Sequence, residues 1–356
     1  MPDQRAPGPR ITVVSCLRDE GPYVVDWVAH LRALGVATVL VYTNDCSDGT
    51  EDILEALRPA GVIHVPQGDV LGQKGSVPQW RALQAAWTHG AVTEADWVLH
   101  LDVDEWIALD ASMGLKNLSD LIDLCPDAEA IAMGWRLFGN NGRLAPGQGS
   151  PAERFQRAAP RDMVYPALGS FCKTLFRRHG PFDGLGVHRP KQTAPPVLYD
   201  DTGTKRPEMA QREGQILMSR DPKASARRVQ VNHYSVRSVH EFLVKRSRGL
   251  PNRTGKAIDL TYWVERNFNT EACNMIAAQL PACSAEAARL RALPMVAEAE
   301  ACAVAWHGAR LAEILASPAG ARLCGRLILA GDSHVPTPEL GRHLLRQGFR
   351  AERTSR

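Results

Sequence analysis

Short β-branched runs alternate with amphipathic stretches through the first hundred residues, and this alternation limits the fold more than any other feature. Ile11-Thr-Val-Val-Ser-Cys16 reads as a strand. Pro22 suits a first helical position, and Val24, Val25, Val28, Leu31 and Leu34 recur at helical spacing until Gly35 stops the run. Ala37 to Thr43 is a second strand. Asp48 with Glu51 has the form of a capping box before a helix to about Leu57. Val62 to Val65 is a third strand, Ser76 with Gln79 opens a helix to His89, and Trp97 to Leu101 is a fourth strand. Strands and helices in strict alternation predict a doubly wound, mostly parallel α/β sheet with right-handed crossovers. Ligands of such sheets bind at the carboxyl ends of the strands.

Four polar clusters fall at those ends. They are Arg18-Asp19-Glu20, Asn44-Asp45 with Ser47-Asp48, the loop from Gly68 to Lys74, and Asp102-Val103-Asp104-Glu105. Side chains 102 and 104 point the same way in an extended chain. Two aligned carboxylates at a dry edge repel each other unless a cation lies between them. A hard divalent ion would meet that need, with a diphosphate completing its shell. On this reading Asp104 holds the ion, and Asp102 binds the ion or a ribose. Glu20 and Asp45 accept hydrogen bonds from a base and ribose, and Lys74 and Arg81 face the diphosphate. Asp48 and Ser76 are read as helix caps.

Beyond residue 110 the pattern is less regular. Leu118 to Leu124 reads as helix, and Ala130 to Trp135, Lys173 to Arg177 and Val229 to His233 as strands. Phe138 to Pro151 is a Gly/Asn/Pro-rich loop of the kind that covers active sites. Thr193 to Glu213 is Pro-rich and charged, a lid or a disordered segment. Ser238 and Glu241 form a further capping box before a helix through Lys245 to Arg248, whose basic run fits a solvated face or a phosphate contact. From about Ala272 to Leu329 the chain is Ala/Leu/Arg-rich with helical periodicity, and the charged tail after Gly348 is expected to fray. The organisation expected is a disordered 1–10, a nucleotide-sugar-binding half at 11–110, an acceptor and catalytic half at 111–250, and a helical region at 251–356.

A net charge of +3 is too small to argue for nucleic acid. Eight cysteines without a CxxC pair fit free thiols in a reducing cytoplasm. The first ten residues lack the apolar core of a signal peptide, and no stretch reaches membrane-spanning length. The location expected is cytoplasmic, with the inner face of the membrane as a compatible contact.

Three motifs in order carry a resemblance. Cys16-Leu-Arg-Asp-Glu20, Thr43-Asn-Asp-Cys-Ser-Asp-Gly-Thr50 and His100-Leu-Asp-Val-Asp-Glu105 resemble the family-2-like glycosyltransferases of GT-A fold, in the branch whose first motif reads RDE or KNE and whose acid motif ends in DE. The resemblance covers roughly residues 11 to 110, with an echo at Lys173, Gly180-Pro-Phe-Asp183 and Asn232-His-Tyr234. It implies a GT-A-like sheet followed by a helical C-terminal region. It also implies inverting transfer of a sugar from a nucleotide donor, usually a uridine diphosphate sugar, to a glycan, lipid-linked or small-molecule hydroxyl with Mn²⁺ or Mg²⁺. Carried over by motif, Glu20, Asp45, Asp102 and Asp104 are donor and metal residues, and His233 stands where some such enzymes place a third metal ligand. Asp183 would be the base, although the downstream ED pair of the family is missing; Glu153, Asp200 and Asp201 are rivals, and His188 is a further candidate residue. Two other readings stay open. One is a nucleotidyltransferase acting on sugar phosphates, against which the short acidic Arg18-Asp-Glu-Gly-Pro22 loop counts. The other is a non-catalytic sugar-nucleotide or glycan-binding protein.

Overall fold

The computed structural model describes residues 8–68, 77–212, 214, 216–218, 227–249 and 258–354. Its main strands are β1 Ile11–Leu17, β2 Thr38–Thr43, β3 Val62–Pro66, β4 Trp97–His100, β5 Glu105–Leu109, β6 Ala130–Leu137, β7 Cys172–Arg177 and β8 Val229–His233. They hydrogen-bond in the order β3-β2-β1-β4-β7-β6-β8-β5, with Leu198–Tyr199 added beside β6. Strands β1 to β4 run parallel, β7 is antiparallel to both its neighbours, and β5 is antiparallel to β8. This is the mixed, mostly parallel α/β sheet expected, and a helical C-terminal region follows it.

Both faces of the sheet are covered, so its strands are apolar throughout. Val13, Val39 and Val41 face Trp27, Val28 and Leu31 of the helix Gly21–Ala33. Val14, Leu40 and Tyr42 point the other way, onto Ala82, Leu83 and Ala86 of the helix Pro78–Thr88. Each buried Val or Leu among them contributes about 1.5–3 kcal/mol relative to exposure. The helices Leu280–Arg291 and Val296–Ala316 pack on the first helix, and one apolar cluster takes in Ile11, Trp27, Leu290 and Ala303. The ion pairs Arg32–Glu286 (2.7 Å) and Arg291–Asp26 (2.8 Å) flank that seam. They are part-exposed and add little, so the apolar seam does the docking.

Four departures from expectation shape the site. Glu105–Leu109 is a strand rather than the start of a loop. Only residues 101–104 join β4 to β5, although three strands separate them in the sheet. So short a link cannot reach across a flat sheet, so the sheet must curl back and bring its far edge over the acid motif. Thr193 to Arg212 is no lid: Leu198–Tyr199 pairs with β6, and the buried Asp200 and Asp201 are held by Arg206 and Arg227. The Phe138–Pro151 loop does not line the cleft described below. The charged tail is helical, within Pro338–Thr354.

Candidate active site

The rim is built from turns that leave the strands. After β1 the chain passes through the left-handed region at Asp19 (φ 47°), and after β2 it does so again at Asp45 (φ 48°). Asp tolerates that conformation better than most residues. The Asp19 carboxylate accepts from the Ser47 N–H at 2.7 Å, and Asp48 accepts from the Gly21 and Thr50 N–H groups at 2.9 Å each. Asp48 is therefore a bracket between two turns, not the N-cap of Thr50–Ala56, whose cap position is Gly49. Gly21 permits the bracket: a Cβ there would stand 2.5 Å from that of Ala303.

Beside these turns lies a cleft of about 500 Å³, whose lining includes Arg18, Glu20, Asp102, Asp104, His188, His233, Lys245, Arg248, Glu265 and Arg266. Here the acids meet cations from far along the chain. Glu20 is held by Arg237 at 3.1 Å and by Arg248. Asp104 accepts from the Lys245 ammonium at 2.6 Å. Lys173, fully buried on β7, reaches Asp102 at 3.0 Å and Glu105 at 2.9 Å. The carboxylates Glu20, Asp102, Asp104 and Glu105 are thus matched in number by Arg237, Arg248, Lys173 and Lys245.

Burial and charge compete at each group. Burial pushes Asp104 up, but Lys245 and then His233 hold it well below the ordinary carboxylate range. Burial likewise raises Asp102, and Lys173 brings it below its usual value. Glu105 goes the other way, to about 8, because burial dominates and one ammonium cannot satisfy two carboxylates. Its Oε1 is buried with no hydrogen-bond partner among the described residues. The lysines both rise: burial lowers them, and the carboxylates they touch more than compensate.

The residues do not fit a resident divalent ion. Such an ion needs carboxylate oxygens at roughly 2.0–2.6 Å. At Asp104 Oδ2 that place is taken by the Lys245 ammonium. An ion 4 Å from an ammonium would be repelled by roughly 8 kcal/mol at an effective dielectric of 20. His233 Nε2 is 3.6 Å from Asp104 Oδ1, and its ring packs on Trp135. Among the described residues no group of three or more His, Cys, Asp or Glu side chains is arranged to hold a metal ion. The expected Asp102, Asp104 and His233 are brought together, but around lysines.

Other expected residues stand elsewhere. Asp45 is not in the cleft lining; its carbonyl accepts from Arg18 at 3.3 Å, which ties it to the rim. Arg81 is exposed on the helix Pro78–Thr88, outside the lining, and Lys74 lies outside the described residues. Asp183 points to solvent, because Phe182 packs at 5.1 Å on Phe176 and period two sends its neighbour outward. Glu153 closes a capping box on Ser150. None of the bases named from the sequence, Asp183, Glu153, Asp200 and Asp201, lines the cleft, whereas the further candidate His188 does. Arg237, Lys245 as a buried group and Glu265 were given no role from the sequence, and Lys173 only a place in the family echo. A lysine inside the apolar strand Cys172–Arg177 was the one local signal.

No family model matches the chain, and no curated protein matches it. Solved structures do. Glucosyl-3-phosphoglycerate synthase from Mycobacterium tuberculosis, in complex with Mg²⁺ and uridine diphosphate, is 17% identical over 48% of this chain and 57% of its own, with a TM-score of 0.26. HddC from Yersinia pseudotuberculosis is 11% identical over 48% of this chain and 77% of its own, at 0.25. Galactosyltransferase LgtC, in complex with donor and acceptor sugar analogues, is 14% identical over 47% of this chain and 58% of its own, at 0.22. The match spans little more than half the length of the first of these. Among the described residues no helix is long and apolar enough to cross a membrane.

Proposed function

We propose that this chain is a glycosyltransferase that moves a sugar from a nucleoside-diphosphate donor, most simply a uridine diphosphate sugar, to a hydroxyl of a glycan, lipid-linked or small-molecule acceptor, with inversion. The observation that carries the reading is one cleft in which the acid motifs after β1 and β4 meet a cationic wall of Arg18, Lys245, Arg248 and Arg266. Such a wall stabilises the charge that develops on a departing diphosphate. Trp135, Phe171 and Tyr262 give the same cleft flat apolar faces suited to a base or sugar ring. Inversion needs one base to take the proton of the attacking hydroxyl. Glu265 fills that role in this reading. It lines the cleft, is about a third exposed, and is paired with its neighbour Arg266 rather than with a buried lysine.

The test is a panel of uridine and guanosine diphosphate sugars with release of the nucleoside diphosphate as readout. Glu265→Gln should lower kcat by about 10²–10⁴ while donor binding is kept. Release of pyrophosphate from a nucleoside triphosphate and a sugar phosphate would instead make the protein a nucleotidyltransferase. An unchanged kcat in the Gln variant would move the base elsewhere.

A further inference from the structure

We infer that the donor site is independent of divalent metal, with Lys245 seated where the ion of an Asp-X-Asp site would lie; the inference rests on the transferase reading above. Three observations on separate parts of the chain carry it. The first is occupancy. The Lys245 ammonium spends one proton on Asp104 Oδ2 at 2.6 Å and a second on the Ser235 carbonyl at 2.9 Å. An ammonium has three protons; among the described residues the third meets no oxygen or nitrogen acceptor, the Nζ stands 5.6 Å over the Tyr262 ring, and Lys245 lines the cleft, where a phosphate oxygen can accept that proton. Lys245 then does what an ion would do, touching the acid motif on one side and the diphosphate on the other.

The second is support from beneath. Asp102, the other half of the motif, is held by Lys173 and also accepts from the Gln79 amide at 3.3 Å. The motif therefore reaches neutrality through the protein's own cations and does not need an ion to relieve its repulsion. The third is rigidity. Lys245 belongs to the helix Val239–Arg248, whose start is fixed by the Ser238–Glu241 capping box. Arg154 grips Glu241 through two hydrogen bonds of 2.9 and 2.8 Å, both side chains buried. One turn on, Arg248 projects from the same face onto Glu20. The ammonium is a fixed part of the wall, as a charge that replaces an ion must be.

Titration calorimetry of the full chain with uridine diphosphate and with guanosine diphosphate, each in EDTA and in Mg²⁺ or Mn²⁺, tests this. The expected result is binding of at least one nucleotide in EDTA, with Kd within about threefold of the value in metal. Lys245→Met should weaken binding in EDTA by about ten- to a hundredfold, as for a lost hydrogen bond to a charged group, and Lys245→Arg should keep most of it. Binding that vanishes in EDTA and returns with metal overturns the inference and leaves the transferase reading standing. No binding under either condition overturns both. The EDTA comparison uses the unaltered protein, so it decides the matter even where the Met variant fails to fold.

Discussion

The two ends of the chain bring opposite charges to the cleft. Glu20, Asp102, Asp104 and Glu105 all come from the first 105 residues, and the groups that hold them, Lys173, Arg237, Lys245 and Arg248, all come after residue 170. The acids are placed locally, each by a turn at a strand end. The cations arrive only when β7 has entered the sheet and the helix Val239–Arg248 has closed over the rim. The acidic motif is thus complete in the first third of the chain, but the neutral, buried site is a property of the whole fold. The second half supplies countercharge as well as a wall.

The most severe way to break that division is to remove the deepest cation. Lys173→Met leaves the fully buried Glu105 and the partly exposed Asp102 without their shared ammonium. Stranding one member of a buried ion pair costs about 3–5 kcal/mol, and urea unfolding should read a loss of that size. Glu105→Gln should cost far less, about 1 kcal/mol, because its carboxyl, pushed to about 8, already holds a proton readily. The double variant should recover part of the Lys173→Met loss. A Lys173→Met protein as stable as the parent would mean that the acids do not depend on the later half of the chain.

A milder test uses pH on the helix that carries Lys245. Burial alone would raise Glu241, but hydrogen bonds and charge from Arg154 outweigh it and hold it at about 2, against 4.5 when unfolded. Below 4.5 the unfolded chain binds the proton that the folded one refuses. The stabilisation is therefore complete above pH 4.5 and is lost as pH falls toward 2. A fall from 4.5 to about 2 is worth roughly 3 kcal/mol. Unfolding curves of the parent and of Glu241→Gln should accordingly converge by about this amount across that window. Parallel curves would show that the pair is not made.

What could be read from the sequence follows the same division. The strand–helix alternation, the fourth strand and the acid motif are local patterns, and the strands beginning at Ile11, Thr38, Val62 and Trp97 lie where periodicity placed them. Strand β5 was hidden because the turn before it is only four residues long, so its apolar run looked like the loop after the motif. Asp183 resembled a family position, yet the burial of Phe182 decided which way it faces. Asp48 had the spacing of a cap and became a bracket because Gly21 and His307 are close in space, not in sequence. Lys173 stood only in a faint family echo and Lys245 only in a basic run, and neither pattern names a partner. Their role is set by which carboxylates the tertiary fold brings to them.

The smallest effect sharpens the comparison most finely, because it separates neighbours within one basic run. Lys245-Arg246-Ser247-Arg248 reads in sequence as a solvated helix face or a phosphate contact. In the fold, Lys245 and Arg248 lie three residues apart on the side that meets the acids, whereas Arg246 is exposed. If the countercharge of the later half is positional rather than a general excess of basic residues, Arg246→Ala should change stability by no more than about 0.5 kcal/mol. It should also leave uridine diphosphate affinity unaltered at moderate salt, where charges beyond about 10 Å are screened. Arg248→Met should do neither, because Glu20 would keep only Arg237. Equal losses from the two arginine variants would mean that the cleft responds to net charge, and that the pairing of each acid with its own cation is incidental.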